Sequence, residues 1–248
     1  MRKDKSLVTP APALVLFDID GTLIRRAGPH HRQALVDAVR DVTGLETTTE
    51  NIPVHGMLDP DILTSMMRNA GASGASIRKA MPGVMDKAQS LYVRRCPDLS
   101  EKLCPGVIEL LAGLQERGIP LALVTGNLTR IGWRKMRRSG LDRYFQYGAF
   151  AEMARNRSGL ARLAIRHARR QGWIDGGAVI SLIGDAPSDI LAARANGAMS
   201  VAVHTGISTR EELEAHQPDL LLEDLRNLRV DSLVNLTRPL LSECKLRT

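Results

Sequence analysis

Apolar runs that stop abruptly at polar residues mark out this chain. The first, "ALVLF" from Ala13 to Phe17, passes straight into Asp18-Ile19-Asp20-Gly21-Thr22. An unbroken apolar run of that length reads as a strand buried on both faces. Beyond Ile24 the period changes. "HRQALVDAVRDVTG" sets Leu35, Val36, Val39 and Val42 at helical spacing and stops at Gly44. "DPDILTSMMRNAG" predicts a second helix, with Asp59 as its N-cap, Pro60 at its first position and Gly71 at its end. A third helical stretch runs from Val84 to Val93.

Strands return after Pro105. A helix in "PGVIELLAGLQERG" leads into the apolar run "IPLALVTGN". A basic helix (Ile131 to Ser139), a strand "YGAFAEM", and a helix from about Gly159 to Arg170 follow. The strand "AVISLIGD", the helix "SDILAARANG", the strand "SVAVHTG" and the apolar segment "DLLLEDL" complete the series. Strands alternating with helices imply a parallel sheet covered on both faces. The expected fold class is therefore α/β: a Rossmann-like parallel core formed by residues 1–27 and 100–248, with residues 28–99 inserted as a helical domain.

Composition narrows the function. Of 248 residues 44% are hydrophobic but only 3% aromatic, so the core is built from Leu, Val, Ile, Ala and Met. The net charge of +7 favours anionic partners, either nucleic acid or small phosphorylated molecules. Arg162, Arg166, Arg169 and Arg170 recur at helical spacing and read as a solvated face. The run "RKMRRSGLDR" reads the same way, because it lacks aromatics for base stacking. A small phosphorylated metabolite is thus expected rather than nucleic acid. Cys96, Cys104 and Cys244 are too few and too scattered for a disulfide framework or a metal clip. With no signal-like or membrane-spanning apolar stretch, the expected setting is cytoplasmic, without a membrane partner. Nothing in the sequence sets the oligomeric state.

Three apolar runs end in polar residues suited to chemistry: Asp18 and Asp20, then Thr125-Gly126-Asn127, then Gly184-Asp185 with Asp189 beyond. In a parallel sheet, ligands bind outside the carboxyl ends of the strands, so these tips converge. Carboxylates gathered in one crevice repel unless a cation neutralises them, and Mg²⁺ suits oxygen ligands together with a substrate phosphate. One carboxylate is then free to attack phosphorus, and a second, two residues away, to move the leaving-group proton. The Thr125 hydroxyl and the Gly126 backbone suit phosphoryl oxygens, and a basic side chain would balance developing charge.

These motifs resemble the haloacid dehalogenase superfamily. "FDIDGTL" is similar to its DxDGT motif, "VTGN" to its Ser/Thr motif and "IGDAPSDILAARANG" to its GDxxxD motif, in the family's order. The resemblance implies a nucleophile at Asp18, a general acid/base at Asp20 and a phosphate-binding hydroxyl at Thr125. It further implies Mg²⁺ held by Asp18, the Asp20 carbonyl and Asp185, with Asp189 supporting. The insertion resembles the helical cap of phosphoglycolate phosphatase-like members, with His55, Met57, Leu58 and Asp59 expected to set substrate choice alongside Gly126 and Asn127. The family's third-motif lysine has no counterpart between Gly148 and Leu160. Arg155 and Arg157 are the candidates there, and Arg157 fits a related "DRxxL" spacing. The implied activity is a Mg²⁺-dependent phosphatase working through an aspartyl phosphate. The alternatives are a sugar-phosphate mutase, disfavoured by Thr22 where mutases often carry Val, and a non-enzymatic binding protein, disfavoured by the intact aspartate pair.

Overall fold

The computed structural model describes residues 9–25 and 28–234. Residues 1–8 and Cys244 lie outside the described residues. In chain order the elements are β1 (Ala11–Phe17), α1 (His30–Thr43), α2 (Asp59–Asn69), α3 (Gly74–Arg95), α4 (Val107–Glu116), β2 (Leu121–Val124), α5 (Thr129–Arg138), β3 (Tyr147–Ala149) and α6 (Arg157–Arg170). They continue through β4 (Ile174–Gly184), α7 (Pro187–Arg194), β5 (Met199–Val203), α8 (Arg210–Ala215), β6 (Leu220–Leu222) and α9 (Val230–Val234).

The described strands form one six-stranded sheet in the order β3-β2-β1-β4-β5-β6. Every pairing is parallel. Side chains alternate between its faces. Leu14 and Leu16 of β1 join Ala122, Val124 and Leu182 against Leu160, Ala161 and Ala164 of α6. Ala13, Val15 and Phe17 point the other way, into a core shared with Leu110 and Leu114 of α4 and with Ile131 and Met136 of α5. That second core continues into the inserted helices through Leu35, Leu63, Met66 and Tyr92. The α/β class with helices on both faces is thus as the alternation implied.

Four local expectations change. The third inserted helix extends over Gly74–Arg95 and carries Pro82 inside it, because Ile77, Val84, Ala88, Leu91 and Tyr92 form one buried stripe that outweighs the lost backbone bond. Only Tyr147–Ala149 of "YGAFAEM" is strand, and Ala151–Met153 turns into a 3₁₀ segment. β4 starts at Ile174, which pairs with Ala11 across an irregularity in register. Finally, α2 begins at Asp59 itself with Leu58 in the capping position, so Asp59 does not cap it.

The chain passes twice between the sheet and the inserted helices, and the two passages run side by side: Arg25 N–H donates to Lys102 O at 2.7 Å and Cys104 N–H to Leu23 O at 3.0 Å.

Candidate active site

Register brings the chemistry together. Phe17 pairs with Leu123 of β2 and with Ile183 of β4. The residues that follow, Asp18, Thr125 and Asp185, therefore emerge side by side where the strand order reverses about β1. Here they line one wall of a cavity of about 600 Å³. Asp20, Gly126, Asn127, Arg157, His55, Met57 and Asp59 line it too, whereas Asp189, Leu58 and Arg155 do not.

Asp18, Asp185 and Asp189 are buried, and one carboxylate oxygen from each lies within 4.8 Å of the other two. Burial, together with the charges of Asp18 and Asp189, pushes the Asp185 carboxyl well above its ordinary value, even though Arg157 opposes the shift. Burial likewise raises Asp189, against the pull of Arg157. Asp189 Oδ2 accepts from Ala186 N–H at 3.2 Å, and its buried Oδ1 is ion-paired with Arg157 Nε at 3.2 Å. The backbone closes tightly around Asp185: Gly21 has a φ of +84°, and a Cβ there would lie 2.2 Å from Asp185 Oδ2. Three crowded buried carboxylates with only one guanidinium among them fit a hard divalent cation with oxygen ligands.

Arg157 opens α6, whose N-cap Asn156 accepts from Gly159 N–H at 2.9 Å. From that first helical position the guanidinium reaches the strand ends. Its Nη1 donates to Asp18 Oδ1 at 2.8 Å and to Val124 O at 3.1 Å. Burial opposes its charge, but Asp189, Asp18 and Asp185 outweigh burial and keep it firmly protonated. Arg155, the other candidate, is exposed outside this cavity.

Asn127 is committed to the protein. Its Nδ2 donates to Asp20 Oδ2 at 2.8 Å and to Thr125 Oγ at 2.7 Å, and its Oδ1 accepts from Lys135 at 2.7 Å. The Thr125 oxygen also faces Asn127 N–H at 3.3 Å. With its lone pairs so engaged, its hydroxyl proton is free for a phosphoryl oxygen.

Asp20 stands apart from the carboxylate group. Burial alone would raise its carboxyl. The charge of Lys135 and the hydrogen bonds from Lys135 and Asn127 outweigh that and hold it below its ordinary value.

The inserted helices supply the roof. Asp59 N–H donates to Gly126 O at 2.8 Å, and a Cβ on Gly126 would meet Met57 O at 2.3 Å, so only glycine admits this approach. The buried Asp59 carboxylate accepts from Leu128 N–H at 2.8 Å, at the start of α5, and meets His31 Nε2 at 3.1 Å. His55 Nε2 lies 2.7 Å from Ser208 Oγ and 3.8 Å from Asp185 Oδ2. Burial lowers the His55 imidazole below its usual value and Arg157 adds to this, against the raising effect of Asp18.

The residue absent from the sequence reading is Lys135. It falls within "RKMRRSGLDR", which reads as a solvated run, yet it is buried beside Asp20. The signal was its place in the helix: Ile131, Lys135 and Met136 share the buried face of α5.

The profile of haloacid dehalogenase-like hydrolases matches residues 12–197. A phosphoglycolate phosphatase of Synechococcus elongatus is 34% identical over 214 residues, covering 84% of this chain and 92% of its own. One from Caulobacter vibrioides is 28% identical over 216 residues, covering 85% of this chain and 86% of its own. Among solved structures, CbbY from Rhodobacter sphaeroides in complex with phosphate shares the fold with a TM-score of 0.68 at 20% identity, covering 89% of this chain and 98% of that one. Along the chain, the match takes in all three motif-bearing strand ends, and the phosphoglycolate phosphatases align over nearly their whole length. The chain therefore belongs to the haloacid dehalogenase-like hydrolases, as a phosphatase similar to the phosphoglycolate phosphatases.

Proposed function

We propose that this phosphatase is a cytoplasmic, Mg²⁺-dependent phosphomonoesterase for a small phosphorylated metabolite, with Asp18 as nucleophile and an aspartyl phosphate as intermediate. The observation that carries this reading is the meeting of Asp18, Asp185 and Asp189 with the single guanidinium of Arg157 at the strand ends. Mg²⁺ held by Asp18, the Asp20 carbonyl and Asp185, with Asp189 supporting, supplies the positive charge that lets these carboxylates and a phosphate share one site.

In the first half-reaction an Asp18 carboxylate oxygen attacks phosphorus in line with the leaving oxygen. The bond to the leaving group breaks, and Asp20 gives its proton to that oxygen. In the second half, Asp20 takes a proton from the water that attacks the aspartyl phosphate. Inorganic phosphate departs and the Asp18 carboxylate is restored. Arg157 and the Thr125 hydroxyl stabilise the equatorial oxygens as charge spreads over them. The Gly126 backbone closes the same cradle.

Residues 28–99 act as a cap, and His55 and Asp59 on its underside help choose the leaving group. The paired connections at Arg25 and Lys102 suit a hinge, since both passages of chain can bend together. The free buried thiols of Cys96 and Cys104 suit a reducing compartment.

The test is phosphate release from p-nitrophenyl phosphate and a metabolite panel. Activity should need Mg²⁺, stop with chelator and return on adding Mg²⁺. Full turnover after exhaustive chelation would overturn the metal assignment.

A further inference from the structure

Lys135 is the most deeply buried cation in the cavity wall, with its side chain only 1% exposed. Its ammonium lies 2.7 and 2.6 Å from the two Asp20 oxygens, 2.7 Å from Asn127 Oδ1 and 3.3 Å from His31 Nδ1. The Tyr92 ring closes another side, with its centroid 5.8 Å from Nζ. Three N–H protons therefore meet three polar side chains. Burying an ammonium is costly even when it is paired, and this position lies on the apolar face of α5, where an aliphatic residue would pack well. Stability alone gives no reason for a lysine here.

Asp20 supplies one. A short carboxylate at a loop position has several staggered side-chain orientations open to it. Two residues away stands the carboxylate group of Asp18, Asp185 and Asp189, yet the Asp20 carboxylate is held clear of it and faces the cavity. The groups that hold it there are Lys135 and Asn127, and Asn127 also grips the Thr125 hydroxyl. The clamp therefore fixes the proton-transfer carboxylate relative to the phosphate-binding hydroxyl.

We propose that Lys135 is the positioning residue for Asp20: its ammonium, braced by Asn127 and His31, holds the Asp20 carboxylate over the leaving-group side of the cavity. The inference rests on the reading of Asp20 as general acid/base given above. In this role Lys135 acts on the Asp20 carboxylate, both oxygens of which it contacts, and not on the phosphoryl or leaving group. Its effect passes through Asp20 alone: without the ammonium the carboxyl keeps a proton more readily but loses its fixed orientation, so the step that needs the Asp20 proton should weaken through misplacement.

Single-turnover phosphorylation of the Mg²⁺-loaded enzyme tests this with two substrates. Phenyl phosphate needs its leaving oxygen protonated, whereas 2,4-dinitrophenyl phosphate departs without a proton. Lys135→Met should slow phosphorylation by phenyl phosphate by about thirtyfold to a hundredfold, as for a misplaced catalytic group, and by less than about threefold with the dinitrophenyl ester. Asp20→Asn should show the same split, and the double variant should be no slower than Asp20→Asn alone. Lys135→Arg should recover part of the loss. Equal losses on both substrates, or losses that multiply in the double variant, would overturn the inference. If Asp20→Asn shows the split and Lys135→Met does not, the clamp alone fails; if Asp20→Asn shows none, the general-acid reading fails with it. Thermal melting checks the fold, and should Lys135→Met not fold, Lys135→Gln carries the same comparison.

Discussion

Arg157 grips two carboxylates with different edges of one guanidinium: Nη1 donates to Asp18 Oδ1 at 2.8 Å, and Nε stands 3.2 Å from Asp189 Oδ1. One cation thus holds the Asp18 carboxylate and balances the loop that follows β4. A lysine offers a point charge and cannot span both partners in this way.

Arg157→Ala should lower kcat by about a hundredfold or more, the usual loss for a preorganised charge-stabilising donor. Arg157→Lys should recover only part of it. Arg155→Ala should leave turnover near normal, since that side chain is exposed outside the cavity. Steady-state kinetics on an aryl phosphate decide the matter, and the opposite ranking of the two alanine variants would move the role two residues upstream.

Asp18 and Asp20 should separate cleanly. Asp18→Asn removes the nucleophile, so acid-quenched protein should carry no phosphate. Asp20→Asn keeps it, lowers turnover by about a hundredfold to ten-thousandfold, and still accumulates acyl phosphate from a good leaving group. Equal trapping by the two variants would contradict the division of labour.

The roof should tighten on the site. His55 to Ser208, Asp59 N–H to Gly126 O and Leu128 N–H to the Asp59 carboxylate already join the insertion to the core. Amide exchange over residues 52–59 should slow when Mg²⁺ and vanadate are added together. Unchanged exchange would mean a static, open site.

Asp37 gives a stability test away from the chemistry. It is buried on α1, receives Gln33 Nε2 at 2.9 Å and pairs with Arg95 at the end of α3. Burial would raise its carboxyl, but the hydrogen bonds from Arg95 and Gln33 and the charges of Arg95 and Arg40 hold it below the ordinary value. A lowered folded value means that the contribution is complete above the unfolded carboxylate value of about 3.9 and is lost as pH falls through the folded one. Asp37→Asn should therefore destabilise by about 1–2 kcal/mol at neutral pH, with the gap narrowing below about pH 4. A gap that stays constant in chemical denaturation at pH 7 and pH 3 would refute this.

The sheet and its reactive edge were legible because each strand announces itself in one dimension. An apolar run that breaks at Asp18, at Thr125 or at Asp185 shows both the buried strand and its open end. The inserted helices were legible by period, though Pro82 hid residues 74–83 of α3, since the packing that tolerates it comes from residues distant in sequence. The same distance hid two side-chain roles. Asp59 looks like the cap of its own helix, but its carboxylate serves Leu128 across the interface. Lys135 looks like one more solvated charge until the fold carries its helix face against Asp20. What pattern cannot carry is the identity of the partner across a tertiary contact.

The strand that carries Asp18 is central to the sheet, flanked by β2 and β4. Its partners are far along the chain: Leu16 pairs with Ala122 on one side and Leu182 on the other. During synthesis Asp18 emerges before both partner strands, and β1 stays half-paired until β4 has followed β2. Long-range pairing of this kind slows folding, because a large loop must close before the contacts that reward closure can form. Any fragment ending before β4 lacks a flanking strand, Asp185 and the Asp189 partner of Arg157 together. Competence for chemistry therefore arrives in a single late step, and a truncated or stalled chain presents an unfinished sheet edge rather than a partly working enzyme.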